Sequence, residues 1–591
     1  MAIEPEVDNY ANEKLENIHE IVQEGTQESE NGSNHQSATK SEDYIVDFSF
    51  QKGVQDVEAI TIYWSRTALI VSYVLIWLVY FVQGLVSGVS GALLPYVTSD
   101  FADHSLTATT GILSSVICGV TNLSIGKALD IFGRPQGFLF CVVIAVIGLV
   151  ISATCNNVEA YAASQVFYLV GINGIGFTLN VFLADTTSLR HRGLVVALCS
   201  TAYVITPWLG GPISSAFLNG AGWRWAFGVE SILVPVVTLP LFGLFMYHFS
   251  KAKKQGIVPT RASGRSHWES LVYHMREFDA VGLFLLSAGA AFSLLPFNLY
   301  TMQAKGWGSA MIVCFLVFGI LLLIAFGVWE RFFAPVSFIP WKFLRDRTSL
   351  GACILSLTLF LSNACWGAYF SSILQVTNGL DITHASYVVQ TYTVANFIFT
   401  IFAGAVISYT GRYKPITLWL AIPFEILGAG LMIYFRQPTP NVGYIVMSQM
   451  FIAFGSGIIM ITAEIAVLAI CEKQQYFAVD LAVLSLFSNI GNAIGFTVSA
   501  AIWQNILHKK LGLYLPVDDL SNLDIIYGDI VTQLSFPVGS PTRMAIQHAY
   551  GDTQMYLFTA ATAVWVIGFV SAAVWRNIDV TSIKQTKGHV F

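Results

Sequence analysis

Charge is scarce: Asp, Glu, Lys and Arg make up 11% of 591 residues, against 55% hydrophobic residues and a mean hydropathy of +0.63. That balance excludes a cytosolic enzyme, a nucleic-acid binder and a disordered scaffold. Paired thiols are lacking too. The eight cysteines (Cys118, Cys141, Cys155, Cys199, Cys314, Cys353, Cys365, Cys471) fall in or beside apolar runs with no C-x-x-C spacing, and read as buried thiols. No His, Cys and carboxylate group has metal-ligand spacing, so neither a metal site nor another cofactor is expected. A P-loop is missing, because Thr121 stands where the first glycine before Gly126-Lys127 belongs and Ala128 follows the lysine. The start lacks the basic-then-apolar pattern of a cleaved signal peptide.

Long apolar runs are what the chain does have. They predict spans near 68–92, 107–126, 136–154, 161–184, 194–217, 226–247, 280–300, 309–328, 349–376, 385–409, 416–435, 444–470, 478–504 and 554–575. About 20 apolar residues cross a bilayer as a helix, and uniformly apolar runs suit helices over the alternating strands of a barrel. The expected class is therefore an all-α membrane protein with fourteen transmembrane helices. Residues 1–60 carry 14 Asp and Glu against three Lys, a balance of −11, while the remainder holds 27 bases against 22 acids. The acidity belongs to residues 1–66, read as a disordered cytoplasmic tail. With the N-terminus inside, 24 of the 30 bases fall on cytoplasmic segments and six outside (Arg224, Lys305, Arg436, Lys509, Lys510, Arg543). That asymmetry orients the chain with both termini in the cytoplasm.

The runs divide into a six-helix half at 67–248, a linker with two inserted helices at 249–348, a second half at 349–576 and a tail at 577–591. A loop at 505–553 interrupts the second half on the outer side; Tyr527, Phe536, Arg543 and Tyr550 are its candidate functional residues, since loops of that length are usually functional or disordered. The halves are related by a repeat. Gly126, Gly133 and Arg134 recur as Gly404, Gly411 and Arg412 at a shift of 278, and a shift of 279 brings Gly176 onto Gly455 and Asp185 onto Glu464. Duplicated halves of this kind place a substrate site at their interface near the midplane.

At these residues the chain resembles the major facilitator superfamily, whose loop signature is matched from Gly126 to Pro135 with departures at Ala128, Ile131 and Pro135. Fourteen spans, the segment Ala184–Gly193, the run Tyr203–Pro212 and the outer Phe536–Pro541 are similar to fungal siderophore-iron transporters. The resemblance implies the major facilitator fold and proton-coupled import of a ferric siderophore by alternating access. It also implies a monomer in the plasma membrane, with endosomal vesicles as a second location. The rival is a proton antiporter exporting drugs or exchanging glutathione; its fifth-span signature is absent, since Ile213, Ser214, Ser215 and Ala216 follow Gly211-Pro212.

The superfamily likeness casts Asp130, Arg134, Asp185, Arg192 and Arg412 as an inner gate of charged contacts. Acids in apolar spans are costly and therefore functional candidates, so Glu425, Glu464 and Glu230 are read as proton-coupling groups, with Arg224 as the alternative partner of Glu230. Polar and aromatic residues within spans supply the candidate cargo contacts: Gln83, Asn173, Asn180, Trp366, Tyr369, Tyr392, Asn396 and Asn489. Because no base lies inside a span, a neutral or cationic cargo is favoured; the resemblance implies an iron-loaded siderophore, and within that class a ferric hydroxamate, whose complex can be neutral, fits better than an anionic catecholate. Iron enters as cargo held by its chelator; no nucleic acid takes part.

Overall fold

The computed structural model describes residues 66–100, 133–187, 189–254, 279–300, 305–334, 345–435, 441–471 and 477–581, with scattered positions between 115 and 129 and at 303 and 343. Asp130, the acidic tail and the 255–278 linker lie outside the described residues.

Among the described residues eleven helices are long and apolar enough to cross a membrane. In chain order the helices are α1 (Arg66–Asp100), the shorter α2 (Ile117–Gly126), α3 (Arg134–Thr154), α4 (Val158–Thr186), a broken α5 (Leu189–Cys199, Ala202–Ile205, Pro207–Asn219) and α6 (Trp223–Lys254). After the linker come a short α7 (Ala280–Leu294) and α8 (Ala310–Phe332). Then follow α9 (Arg347–Gly367, continued as α9b, Phe370–Asn378), α10 (Ile382–Thr410), α11 (Lys414–Tyr434), α12 (Gly443–Leu468), α13 (Phe477–Tyr514) and α14 (Pro541–Ala573). The basal end of the bundle is the one where α1 starts and α14 stops; the distal end carries the connection between α13 and α14.

Local chemistry sets the helix ends. Asn157 caps α4 by accepting from Ala160 N at 2.8 Å, and Asp346 caps α9 by accepting from Thr348 N at 2.8 Å. Gly133 (φ 105°) and Gly411 (φ 70°) occupy the left-handed region at equivalent places in the repeat, where the chain turns into α3 and out of α10. The repeated glycines thus both take a positive φ, but with different ψ (155° at Gly133, 2° at Gly411), so the two turns are not copies of each other.

Lipid supplies little drive for helix association, so small residues and close packing hold the bundle. On α13, Gly491 and Gly495 let the backbone of α9 approach: a β-carbon at Gly491 would stand 2.2 Å from the Leu357 carbonyl oxygen. Within the first six helices α3 packs on α4 and α6, and α1 on α5 and α6; within the last six α11 packs on α12 and α14, and α9 on α13 and α14. The two sets meet chiefly along α5 against α10, where Gly193 and Gly404 pack backbone to backbone, and along α2 against α13. The inserted α7 and α8 pack on each other, and Val313, Val317, Phe318, Leu321 and Ile324 of α8 point outward. Cys314 is exposed on the same helix, the one thiol of the eight that is not buried.

The expected outer loop at 505–553 is shorter than hydropathy suggests. Here α13 runs on to Tyr514 through a π-turn at Trp503–Leu507, and α14 begins at Pro541 behind the Ser540 cap, so the connection proper spans residues 515–540. Polar Gln547, Asp552 and Gln554 hide the start of α14 from a hydropathy reading. The connection is itself helical, with turns at Val517–Asn522, Leu523–Gly528 and Ile530–Ser535.

Candidate substrate cavity and its closures

Between α1, α2 and α4 on one side and α9, α10 and α13 on the other lies a cavity of about 590 Å³ in the distal half of the bundle. Its wall is built as helical stripes at three- and four-residue spacing: Gln165, Leu169 and Asn173 on α4; Phe360, Asn363 and Gly367 on α9; Asn489, Asn492 and Phe496 on α13. Gln390 and Tyr392 complete it from α10. Six carboxamides thus face one space, and none of its lining residues carries a charge. Carboxamides donate and accept together, so the wall can bond a cargo rich in neutral oxygens without a counter-ion.

Several of these amides are anchored so that a polar end stays available. The Nδ2 of Asn173 donates to the Leu169 carbonyl at 2.8 Å, and that of Asn489 to the Ser485 carbonyl at 2.8 Å. Asn363 donates to the Tyr392 hydroxyl at 2.7 Å. Of the eight expected cargo contacts, Asn173, Tyr392 and Asn489 line the cavity. The other five lie elsewhere. Gln83 donates to the Ile172 carbonyl (2.8 Å) and accepts from the Tyr203 hydroxyl, while Asn180 accepts from Tyr80. Trp366 packs among Phe370, Tyr392 and Phe558; Tyr369 stacks on Trp503 at 3.9 Å; Asn396 is buried within α10. Sequence reasoning passed over Gln165, which the four-residue stripe through Leu169 to Asn173 would have found.

Below the cavity the halves close on each other. Tyr203, at the break in α5, stacks on Phe397 of α10 with ring centroids 4.7 Å apart. Further down, His191 Nδ1 and Ser408 Oγ are hydrogen-bonded at 3.0 Å between α5 and α10. Arg192 donates to the Ala184 and Thr187 carbonyls at the end of α4 and lies 4.6 Å over the Phe477 ring of α13. Arg134 Nε bonds Asp185 Oδ2 at 3.1 Å, both side chains buried. Of the expected gate residues the structure thus joins Arg134 with Asp185 and sets Arg192 against the opposite half; Arg412 is exposed.

The three acids differ in place. Glu425 is buried between α11 and α12, beside Ser456 and the cavity-wall Tyr392, with neither carboxyl oxygen hydrogen-bonded. It stands one layer behind the wall, not in it. Glu464 on α12 faces the first half, where Arg192 and Tyr80 feel its charge. Glu230 is buried on α6 beside Ser90, and its oxygens accept nothing from Arg224, whose guanidinium donates to the Cys155 carbonyl and covers Trp223.

Distally, the connection forms a cap with a core of its own. Trp503, Leu507, Ile526, Ile530, Ile546 and Tyr550 are buried together, with Tyr527 and Phe536 packed against them. Arg543 donates to the Gln533 carbonyl at 2.5 Å and to the Gln375 carbonyl of α9b at 3.2 Å, and Tyr550 donates to Gln533 Oε1. The cap thereby holds α9b, whose Gln375 accepts from Tyr96 of α1 across the cavity mouth at 2.9 Å. Burial within the cap raises the Tyr527 phenol above its ordinary pKa.

Comparison with known proteins agrees with this geometry. Residues 76–372 match the family model described as Major Facilitator Superfamily. Over 540 residues the chain is 48% identical to the MFS siderochrome iron transporter 1 of Ajellomyces capsulatus, covering 91% of this chain and 92% of that one. It is 41% identical to the MFS siderochrome iron transporter D of Aspergillus fumigatus, covering 92% and 90%. Among solved structures a bacterial homolog of the human lysosomal transporter Spinster superposes with a TM-score of 0.52 at 13% identity, covering 86% of this chain and 97% of that one, which shows the shared fold. The chain belongs to the major facilitator superfamily, in its family of fungal siderophore-iron transporters.

Proposed function

We propose that this chain imports iron-loaded siderophores of the neutral hydroxamate class by alternating access driven by protons. The observation that carries the reading is the cavity between the halves, ringed by six carboxamides and, among the described residues, lined by no charged side chain. A hydroxamate complex offers neutral oxygens to such a wall, whereas a strongly anionic chelate would meet no base there. The iron-siderophore cargo is that of the relatives, which are named siderochrome iron transporters. On this reading the chain acts as a monomer in the plasma membrane and in endosomal vesicles, and the basal end is cytoplasmic.

A neutral cargo draws no energy from the membrane potential, so accumulation needs a coupled ion. Glu425 has no counter-charge and stands beside Tyr392, where a proton on it can respond to occupancy of the cavity. Glu464 faces Arg192 across the halves, and neutralising it would loosen the basal closure made with Phe477, Ser408 and Phe397. The cap would seal the outer mouth through α9b. Radioiron uptake in cells without another carrier tests this: accumulation should be inward and abolished by an uncoupler, and Glu425→Gln should abolish concentrative uptake in a protein that still folds. Unchanged accumulation in that variant removes Glu425 from the mechanism. Removing residues Tyr527–Tyr550 should impair uptake; normal kinetics would reduce the cap to a spacer.

A further inference from the structure

One buried acid has no part in the closures already described. Glu230 lies two turns into α6 from Trp223, about 10 Å along the helix from its distal end. It is 6% exposed and neither carboxyl oxygen makes a hydrogen bond. Beside it on α1 stands Ser90, 8% exposed, whose hydroxyl is likewise without a partner. Two unsatisfied groups side by side in an apolar bundle are costly, and natural interiors keep such pairs only rarely.

The surroundings define what the carboxyl can bind. From α4 the phenols of Tyr161 and Tyr168 feel its charge, and both are buried. The only charged residue of α3 is Arg134, at the opposite end of that helix and bound to Asp185; the distal segment of α5 has no charged residue. Arg224, on α6 itself, is turned to Cys155 and Trp223. Among the described residues no cation reaches the carboxylate, so a proton is the ligand that balances it.

The link to cargo runs through α1. Ser90 sits between Gly88 and Gly91, both of which line the cavity, and at Gly91 a β-carbon would meet nothing within 4 Å. The bare glycine stripe faces cargo while the next residue faces Glu230. A serine hydroxyl both donates and accepts, so it can bond the protonated or the ionised carboxyl, and a shift of α1 on cargo binding would make or break that bond.

We infer that Glu230 is a further proton-binding site, loaded from the distal side and coupled to cavity occupancy through Ser90 as a positioning residue. The inference rests on the proton-coupled reading above and adds one proton per cycle, held by the first half, to those bound by Glu425 and Glu464 in the second. Purified full-length protein in liposomes, supplied with radioiron ferrichrome under imposed pH differences, tests it. The slope of log accumulation against the pH difference counts coupled protons, and Glu230→Gln should lower it by about one. Exchange of labelled for unlabelled ferrichrome at equal pH should persist in that variant. Ser90→Ala leaves the carboxyl in place and should keep the slope while shifting the pH of half-maximal uptake. A wild-type slope in Glu230→Gln overturns the inference and leaves the parent reading standing; a flat slope in the wild type overturns both. If Glu230→Gln loses exchange, the Ser90→Ala profile decides, and one identical to wild type overturns the inference.

Discussion

The two basal turns share a glycine-arginine pair and a positive φ at the glycine, and they do different work. At the first, Gly133 (φ 105°, ψ 155°) leads into α3 and delivers Arg134 into the bundle, where it bonds Asp185 at 3.1 Å. At the second, Gly411 (φ 70°, ψ 2°) closes the end of α10 and Arg412 is exposed. There the chain beyond α14 takes over: Lys414 donates to the Ala573 and Trp575 carbonyls at 2.9 and 2.6 Å, and Val580 N donates to the Gly411 carbonyl at 3.0 Å. Glu464, the repeat partner of Asp185, is therefore left without its own arginine and faces Arg192 of the other half. The repeat kept the glycine and the arginine in register, but the two ends employ their charges differently, and one acid is left to face the opposite half.

Four measurements would break or sharpen that contrast. Asp185→Asn should have the largest effect, because it removes the carboxylate charge that Arg134 bonds inside the bundle; breaking a buried pair costs about 3–5 kcal/mol, read as a lower Tm and lost uptake. Glu464→Gln should leave Tm close to wild type and cut uptake about tenfold or more, the signature of a working group rather than a structural one. Equal Tm losses in Asp185→Asn and Glu464→Gln would erase the distinction between the two acids. Lys414→Ala should cost about 1 kcal/mol, since it opens two charged bonds that cap the end of α14 at a half-exposed site, and Arg412→Ala should stay within about 0.5 kcal/mol.

The smallest effect is one of pH at the same clamp. The Thr581 hydroxyl and amide hold the exposed Asp579 carboxyl below its ordinary pKa. A depressed acid contributes stability that is present above its unfolded value of about 3.9 and lost as pH falls through the folded one. Amide-exchange protection at residues 579–581, taken relative to the intrinsic rate at each pH, should therefore fall only in that acid range; a loss of protection near neutrality would point to another group.

Much of the site's character was legible before any coordinates. The absence of bases from the spans accords with a cavity whose described lining is uncharged, and of the polar intruders Asn173, Tyr392 and Asn489 line it. Gln83, Asn180, Trp366 and Tyr369 are outside that lining, engaged by bonds or rings of neighbouring helices, and Asn396 is buried. A helix buried on every side is apolar all round, so its pattern does not say which polar residue turns toward a space and which toward a neighbour.

What the sequence by itself determined was the solvent, the helical class and the twofold repeat: apolar runs must satisfy their own backbone in lipid, and Gly133 and Gly411 leave the same mark wherever the chain must turn left-handed. Only the tertiary structure decided how the acids were employed. Asp185 and Glu464 occupy matching positions in the repeat, yet one met an arginine within its half and the other met the opposing half. Charge acts through distance and burial, and neither is written in the order of residues.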